Sequence, residues 1–148
     1  MHPPKSSASW LSPGDTLICF GDSLTAMAGS YVEIILEQLG AQDIAVINAG
    51  LCGDKTPTAL SRIHPDVIER RPTAVSFFLG TNDAVIGRGI WQHEPRVSPR
   101  TYKENLIWLV YLCRLCGKIK KFSIATPTDQ VEGRFADDFG DIRNGYAL

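Results

Sequence analysis

No apolar run in this sequence approaches the ~18–20 residues needed to span a bilayer, so no transmembrane helix is expected. Residues 1–14 contain Pro3, Pro4 and Pro13 but no apolar core, and no signal peptide is visible there. An excess of charge is missing as well. Fifteen basic against sixteen acidic side chains leave a net charge of -1, which gives no electrostatic footprint for nucleic acid or an anionic membrane. The four cysteines are too sparse for a disulfide scaffold and, without an export signal, point to a reducing cytoplasmic setting. Histidine is scarcer still, at three residues, and this matters below.

What is present fits one folded domain. A chain of 148 residues lies within the ~100–200 typical of a domain, and 44% hydrophobic with 21% charged residues is an ordinary globular balance. Residues 1–12 read as a flexible tail rich in Pro, Ser and Lys, in which only Trp10 and Leu11 offer burial. Residues 13–148 form the expected domain.

Four short, mostly apolar runs, residues 16–20, 44–47, 74–79 and 121–125, read as strands covered on both faces. Helical spacing recurs between them. Residues 31–39 form one pattern, with Gly40 as its expected left-handed cap. A second runs from residue 56 or 57 toward 68, broken by Pro65, and a third spans 101–116 and stops at Gly117. Alternation of this kind predicts a three-layer α/β/α fold around a parallel sheet, with the flavodoxin-like strand order 2-1-3-4. Residues 87–97 and 126–144 read as irregular inserts bordering the site.

Cys113 and Cys116 form a C-x-x-C, which fits half a zinc site or a redox pair; as two small hydrophobes on one helix face they fit core packing better. A second C-x-x-C is absent.

Three polar, Gly-bearing segments each follow a strand directly: Gly21-Asp22-Ser23, Gly50-Leu51-Cys52-Gly53-Asp54 and Gly80-Thr81-Asn82-Asp83. In a doubly wound sheet the ligand crevice lies outside the carboxyl ends of the strands, so three distant segments converge there. Ser23 stands where a nucleophile is useful, at a strand-to-helix turn that Gly21 lets bend. A tetrahedral intermediate needs preplaced donors, and the Ser23 and Gly53 N–H groups and the Asn82 carboxamide supply three. Taken singly, each residue is equally an ordinary cap or turn former.

Phe20-Gly21-Asp22-Ser23-Leu24-Thr25 resembles the nucleophile block of the SGNH hydrolases, the GDSL esterases and lipases. Asn48-Ala49-Gly50-Leu51-Cys52-Gly53-Asp54 resembles their second block, whose last glycine gives an oxyanion N–H, and Gly80-Thr81-Asn82-Asp83 resembles the third, with its oxyanion asparagine. Tyr102-Lys103-Glu104-Asn105-Leu106 and Ala125-Thr126-Pro127 are similar to the family's third helix and fourth strand end. The resemblance covers residues 16–128 and implies a serine ester hydrolase: Ser23 attacks an ester carbonyl, forms an acyl-enzyme and releases it to water, with no cofactor and no metal. Gly21, Asp22 and Asp83 support the site in this reading. The partner is a small-molecule ester, a carbohydrate acetyl ester, lysophospholipid, thioester or simple ester; oligomeric state stays open.

One block is missing. The family places its general base and that base's orienting aspartate in an Asp-x-x-His arrangement, and none of His2, His64 and His93 has an aspartate three residues before it. Asp141-Ile142-Arg143-Asn144 does not substitute, because a fifth parallel strand first needs a crossover of ~12 residues. The expectation is a C-terminally incomplete hydrolase domain, its fifth strand missing and its activity low. His93, in the insert after the third strand, is the candidate substitute base; His64 is a weaker one. One other reading stays open, a non-catalytic ligand-binding module on the same fold; a phosphate site at Gly53-Asp54-Lys55-Thr56 fails, because a P-loop needs glycine directly before its lysine and Asp54 stands there with a repelling charge.

Overall fold

The computed structural model describes residues 10–87, 95–127, 136–137 and 140–141. Strand β1 (Thr16–Gly21) leads through a one-turn helix α1 (Ser23–Ala26) to helix α2 (Tyr31–Gly40) and strand β2 (Ala45–Gly50). Helix α3 (Thr56–Asp66) and a 3₁₀ turn (Ile68–Arg70) precede β3 (Ala74–Phe78) and the short β4 (Ile86–Gly87). Helix α4 (Pro99–Leu115) and β5 (Lys121–Ala125) follow, then the two-residue strands β6 (Ala136–Asp137) and β7 (Gly140–Asp141).

The main sheet is parallel and ordered β2-β1-β3-β5, the predicted 2-1-3-4 arrangement. Its register aligns Gly21 with Gly50 and Phe78, and Phe78 with Ala125, so the strands end level and the loops after them leave from one edge. Central β1 buries alternate residues on opposite faces. Ile18 and Phe20 enter the larger core with Phe77, Ile63 and Leu109, beneath α3 and α4. Leu17 and Cys19 enter the smaller one with Leu11, Val32 and Ile44, beneath α2. Phe20 and Phe77 meet edge to face with centroids 5.9 Å apart, anchoring the larger core under the site.

Several boundaries differ from expectation. β2 continues to Gly50, because Asn48-Ala49-Gly50 pair with Cys19-Phe20-Gly21 and ladder pairing overrides their polar, turn-like composition. Gly40 is the last residue of α2 rather than a left-handed cap; Asp43, at φ 57, takes the left-handed conformation instead. Pro65 lies inside α3 and does not break it, since in the last turn its missing N–H removes a single bond. Helix α4 begins at Pro99, two residues early, because Ser98 Oγ caps it by accepting from the Thr101 N–H at 3.1 Å and proline suits the first helical position. The stretch 126–144 contains β6 and β7, which join β4 in a small antiparallel sheet ordered β4-β7-β6.

Cys113 is buried in the larger core while Cys116 is exposed, and burial pushes the Cys113 thiol up to about 12, opposite to what a redox pair requires. Among the described residues no group of three metal-ligating side chains occurs, and no helix is long and apolar enough to cross a membrane.

Candidate active site

At the end of β1 the chain turns so tightly that a Cβ on Gly21 would collide with the Thr25 hydroxyl and the Phe78 carbonyl, so no larger residue fits. Asp22 caps α1, its Oδ1 accepting the Leu24 N–H at 2.9 Å. Ser23 opens that helical turn, half-buried. Among the described residues nothing bonds its hydroxyl or its backbone N–H.

The second segment is stitched to this turn. The Asn48 carboxamide donates to the Thr25 carbonyl at 2.7 Å and accepts the Gly50 N–H at 2.9 Å. The Leu51 N–H donates to the Gly21 carbonyl at 3.0 Å. A Cβ on Gly50 would strike the Ala26 backbone, so the end of β2 lies directly against α1. Gly53 follows at φ +76, a left-handed conformation that favours glycine, with open space where a Cβ would stand. Its N–H has no acceptor among the described residues.

The third segment joins the second. Asn82 Nδ2 donates to the Asp54 carbonyl at 2.9 Å, which places the carboxamide against the loop that carries Gly53. Asp83 is fully buried and accepts the Thr56 N–H at 3.0 Å and the Thr56 hydroxyl, while Asn105 Nδ2 donates to that hydroxyl at 3.0 Å. Burial raises the Asp83 carboxyl above its ordinary range against these bonds. Asp22 is raised too, by burial first and then by the charges of Asp54 and Asp83; its Oδ2 is buried without a hydrogen-bond partner among the described residues.

The structure thus gathers Gly21, Asp22, Ser23, Gly53, Asn82 and Asp83 at one edge of the sheet through bonds that run directly between the three segments. His64 is not among them. It lies in the last turn of α3, exposed and paired with Glu69 at 3.1 Å, whereas the gathered loops bond to that helix at Thr56, about 12 Å away at 1.5 Å per residue. His93 lies outside the described residues. The phosphate reading also fails on geometry: the N–H groups of Lys55 and Thr56 at the start of α3 already serve the Asp54 and Asp83 carboxylates.

Sequence reasoning quoted Thr56 and Asn105 without the bonds the structure gives them, and passed over Arg62. The guanidinium of Arg62 bridges the ends of β1 and β2 and the Asp54 carboxylate. The only signal in the sequence was an arginine two helical turns beyond Asp54.

A level parallel sheet flanked by helices, with a serine turn and glycine- and asparagine-bearing loops at its carboxyl edge, is the fold of the SGNH class of α/β hydrolases. The GDSL-like Lipase/Acylhydrolase family matches residues 19–141, and the chain belongs to that family. Its relatives include the uncharacterized lipoprotein YqeF of Bacillus subtilis (strain 168), 30% identical in an alignment of 113 residues that covers 70% of this chain and 45% of that protein. Esterase TesA of Pseudomonas aeruginosa is 28% identical over 120 residues, covering 76% of this chain and 55% of that protein. The chain spans about half the length of these curated relatives. Among solved structures, a catalytic mutant of an acetylxylan esterase from Geobacillus stearothermophilus superposes with TM-score 0.65 at 23% identity, over 80% of this chain and 62% of that one, and shows the shared fold. A lipase/acylhydrolase from Enterococcus faecalis gives TM-score 0.63 at 29% identity, over 78% of this chain and 59% of that one.

Proposed function

We propose that this member of a hydrolase family acts on carboxylic esters through an acyl-enzyme formed on Ser23. In this reading the Ser23 hydroxyl attacks the ester carbonyl carbon, and the carbonyl oxygen takes on negative charge. The N–H groups of Ser23 and Gly53 and the Asn82 carboxamide donate to that oxygen. Collapse expels the alcohol, and water then releases the acyl group as a carboxylic acid. Gly21, Asp22 and Asp83 shape the turn and loops without touching the substrate.

One observation carries the reading: two backbone N–H groups that have no acceptor among the described residues, those of Ser23 and Gly53, stand on segments cross-linked to each other and to Asn82. The relatives support the chemistry, since they include an esterase, an acetylxylan esterase and a lipase/acylhydrolase.

Among the described residues no histidine stands beside Ser23 to take its proton. The 148 residues contain no Asp-x-x-His, and turnover by this chain is expected to be low. The same observation favours a second reading, a module that binds esters without hydrolysing them. A labelled fluorophosphonate separates the two, because it bonds covalently only to a nucleophilic serine whose oxyanion donors are in place. Label mapped to Ser23 and lost in Ser23→Ala supports the hydrolase; no labelling beyond that variant, even at alkaline pH where hydroxide serves as base, supports the binding module.

A further inference from the structure

We propose that Arg62 is a positioning residue that fixes both oxyanion-donating loops against the nucleophile turn, an inference that rests on the esterase reading above. The Arg62 side chain is 13% exposed and that of Asp54 is 0% exposed. Its Nε and Nη2 approach Asp54 Oδ2 at 2.7 and 2.6 Å. Nη2 also donates to the Gly21 carbonyl at 2.9 Å, and Nη1 to the Ala49 carbonyl at 3.0 Å and to Asp66 Oδ2 at 2.8 Å. The guanidinium carbon lies 3.9 Å from the centre of the Phe20 ring, so the plane of the fork is held by the core below.

These bonds end next to the reacting groups. Gly21 lies two residues before Ser23, and Asp54 directly follows Gly53. Gly53 has no side chain, and the place a Cβ would take is open, so the direction of its N–H depends on its neighbours. Asp54 is the neighbour that is held: Arg62 grips its carboxylate, Thr58 Oγ1 donates to the other carboxylate oxygen, and its carbonyl accepts from Asn82 Nδ2. Through that one residue Arg62 restrains both the Gly53 amide and the Asn82 carboxamide.

Only a guanidinium fits this place. It offers five N–H donors in a fixed plane, enough for two carbonyls and two carboxylates, whereas a lysine ammonium is a compact point charge with three. A purely structural ion pair would serve stability alone; a positioning residue alters the reaction of Ser23 in protein that is still folded.

The test is the rate of Ser23 labelling by a fluorophosphonate at alkaline pH, measured over a range of reagent concentrations. Arg62→Met and Arg62→Lys are each expected to lower the maximal labelling rate at least about tenfold, with the half-saturating concentration unchanged because Arg62 does not touch the reagent. Wild-type maximal rates in either folded variant would overturn the proposal. Should neither variant fold, amide hydrogen exchange in the unsubstituted protein decides: the Leu51 and Asp54 N–H groups are expected to exchange as slowly as those of β1, and exchange at exposed-loop rates would overturn it. Absence of any Ser23 labelling in wild type counts against the esterase reading instead, and hydrogen exchange still tests the restraint of the loop.

Discussion

The two margins of the main sheet are built differently. At the carboxyl edge, the carboxylates of Asp54 and Asp83, the carboxamides of Asn48, Asn82 and Asn105 and the Arg62 guanidinium bond across three loops. Along its outer side, around α4 and β5, Trp108, Tyr111, Leu115 and Ile124 are each about half exposed, at 54%, 49%, 61% and 49%. On the α2 face a cavity of about 220 Å³, lined by Leu11, Ile35 and Leu39, opens over Ser76 of β3 and Ser123 of β5. Burying charged and polar groups at the first margin costs desolvation that apolar packing would avoid. Such a network, once every member is satisfied, holds one geometry, which the proposed oxyanion site would need. The outer side has no such demand.

Breaking the network at its reactive end is expected to have the largest effect. Asn82→Ala removes one proposed oxyanion donor and the bond to the Asp54 carbonyl, and is expected to slow fluorophosphonate labelling of Ser23 by about 10²–10³-fold. Gly50→Ala tests the packing beneath it: the new methyl group meets the α1 backbone, and urea denaturation is expected to show a loss of about 1–3 kcal/mol or more.

Proton linkage sharpens the contrast further. Burial, then the charges of Asp54 and Asp83, hold the Asp22 carboxyl above its ordinary value of 3.8, so the folded chain binds that proton more tightly than the unfolded chain. The resulting stability is fully present below 3.8 and is lost as pH rises through the folded value. Asp22→Asn keeps an acceptor for the Leu24 N–H and is expected to flatten the fall in stability from acid toward neutral pH, read from urea titrations across that range. A slope identical to wild type would show that Asp22 is not the titrating group. Smallest of all, Ile124→Thr and Trp108→Ser on the outer side are expected to change stability by no more than about 0.5 kcal/mol. A loss comparable to Gly50→Ala would erase the distinction between the two margins.

Much of this architecture was legible in the sequence. Short apolar runs between helical patterns carried the strand order, and Ser23, Gly53 and Asn82 stood out because each follows a strand closely. What stayed hidden did so for physical reasons. Thr56, Arg62 and Asn105 lie inside helices, where polar side chains pass for solvated positions, and Asn105 meets Thr56 across 49 residues of chain. The end of β2 was misjudged because Asn48 and Gly50 look like turn residues until their pairing with β1 is known. β4, β6 and β7 are two residues each, too short for any periodicity to register.

In the proposed reading Ser23 faces an oxyanion site, and the 148 residues hold no Asp-x-x-His to take its proton. The most direct test of this reading is hydrolysis of p-nitrophenyl acetate by the 148-residue chain and by Ser23→Ala, each with and without added imidazole as an external base. Equal, slow rates are expected without imidazole, and with it a rate above that of Ser23→Ala accompanied by an acetyl group on Ser23. Equal acceleration of both proteins by imidazole, or rapid hydrolysis by the unsubstituted chain without it, would contradict the account.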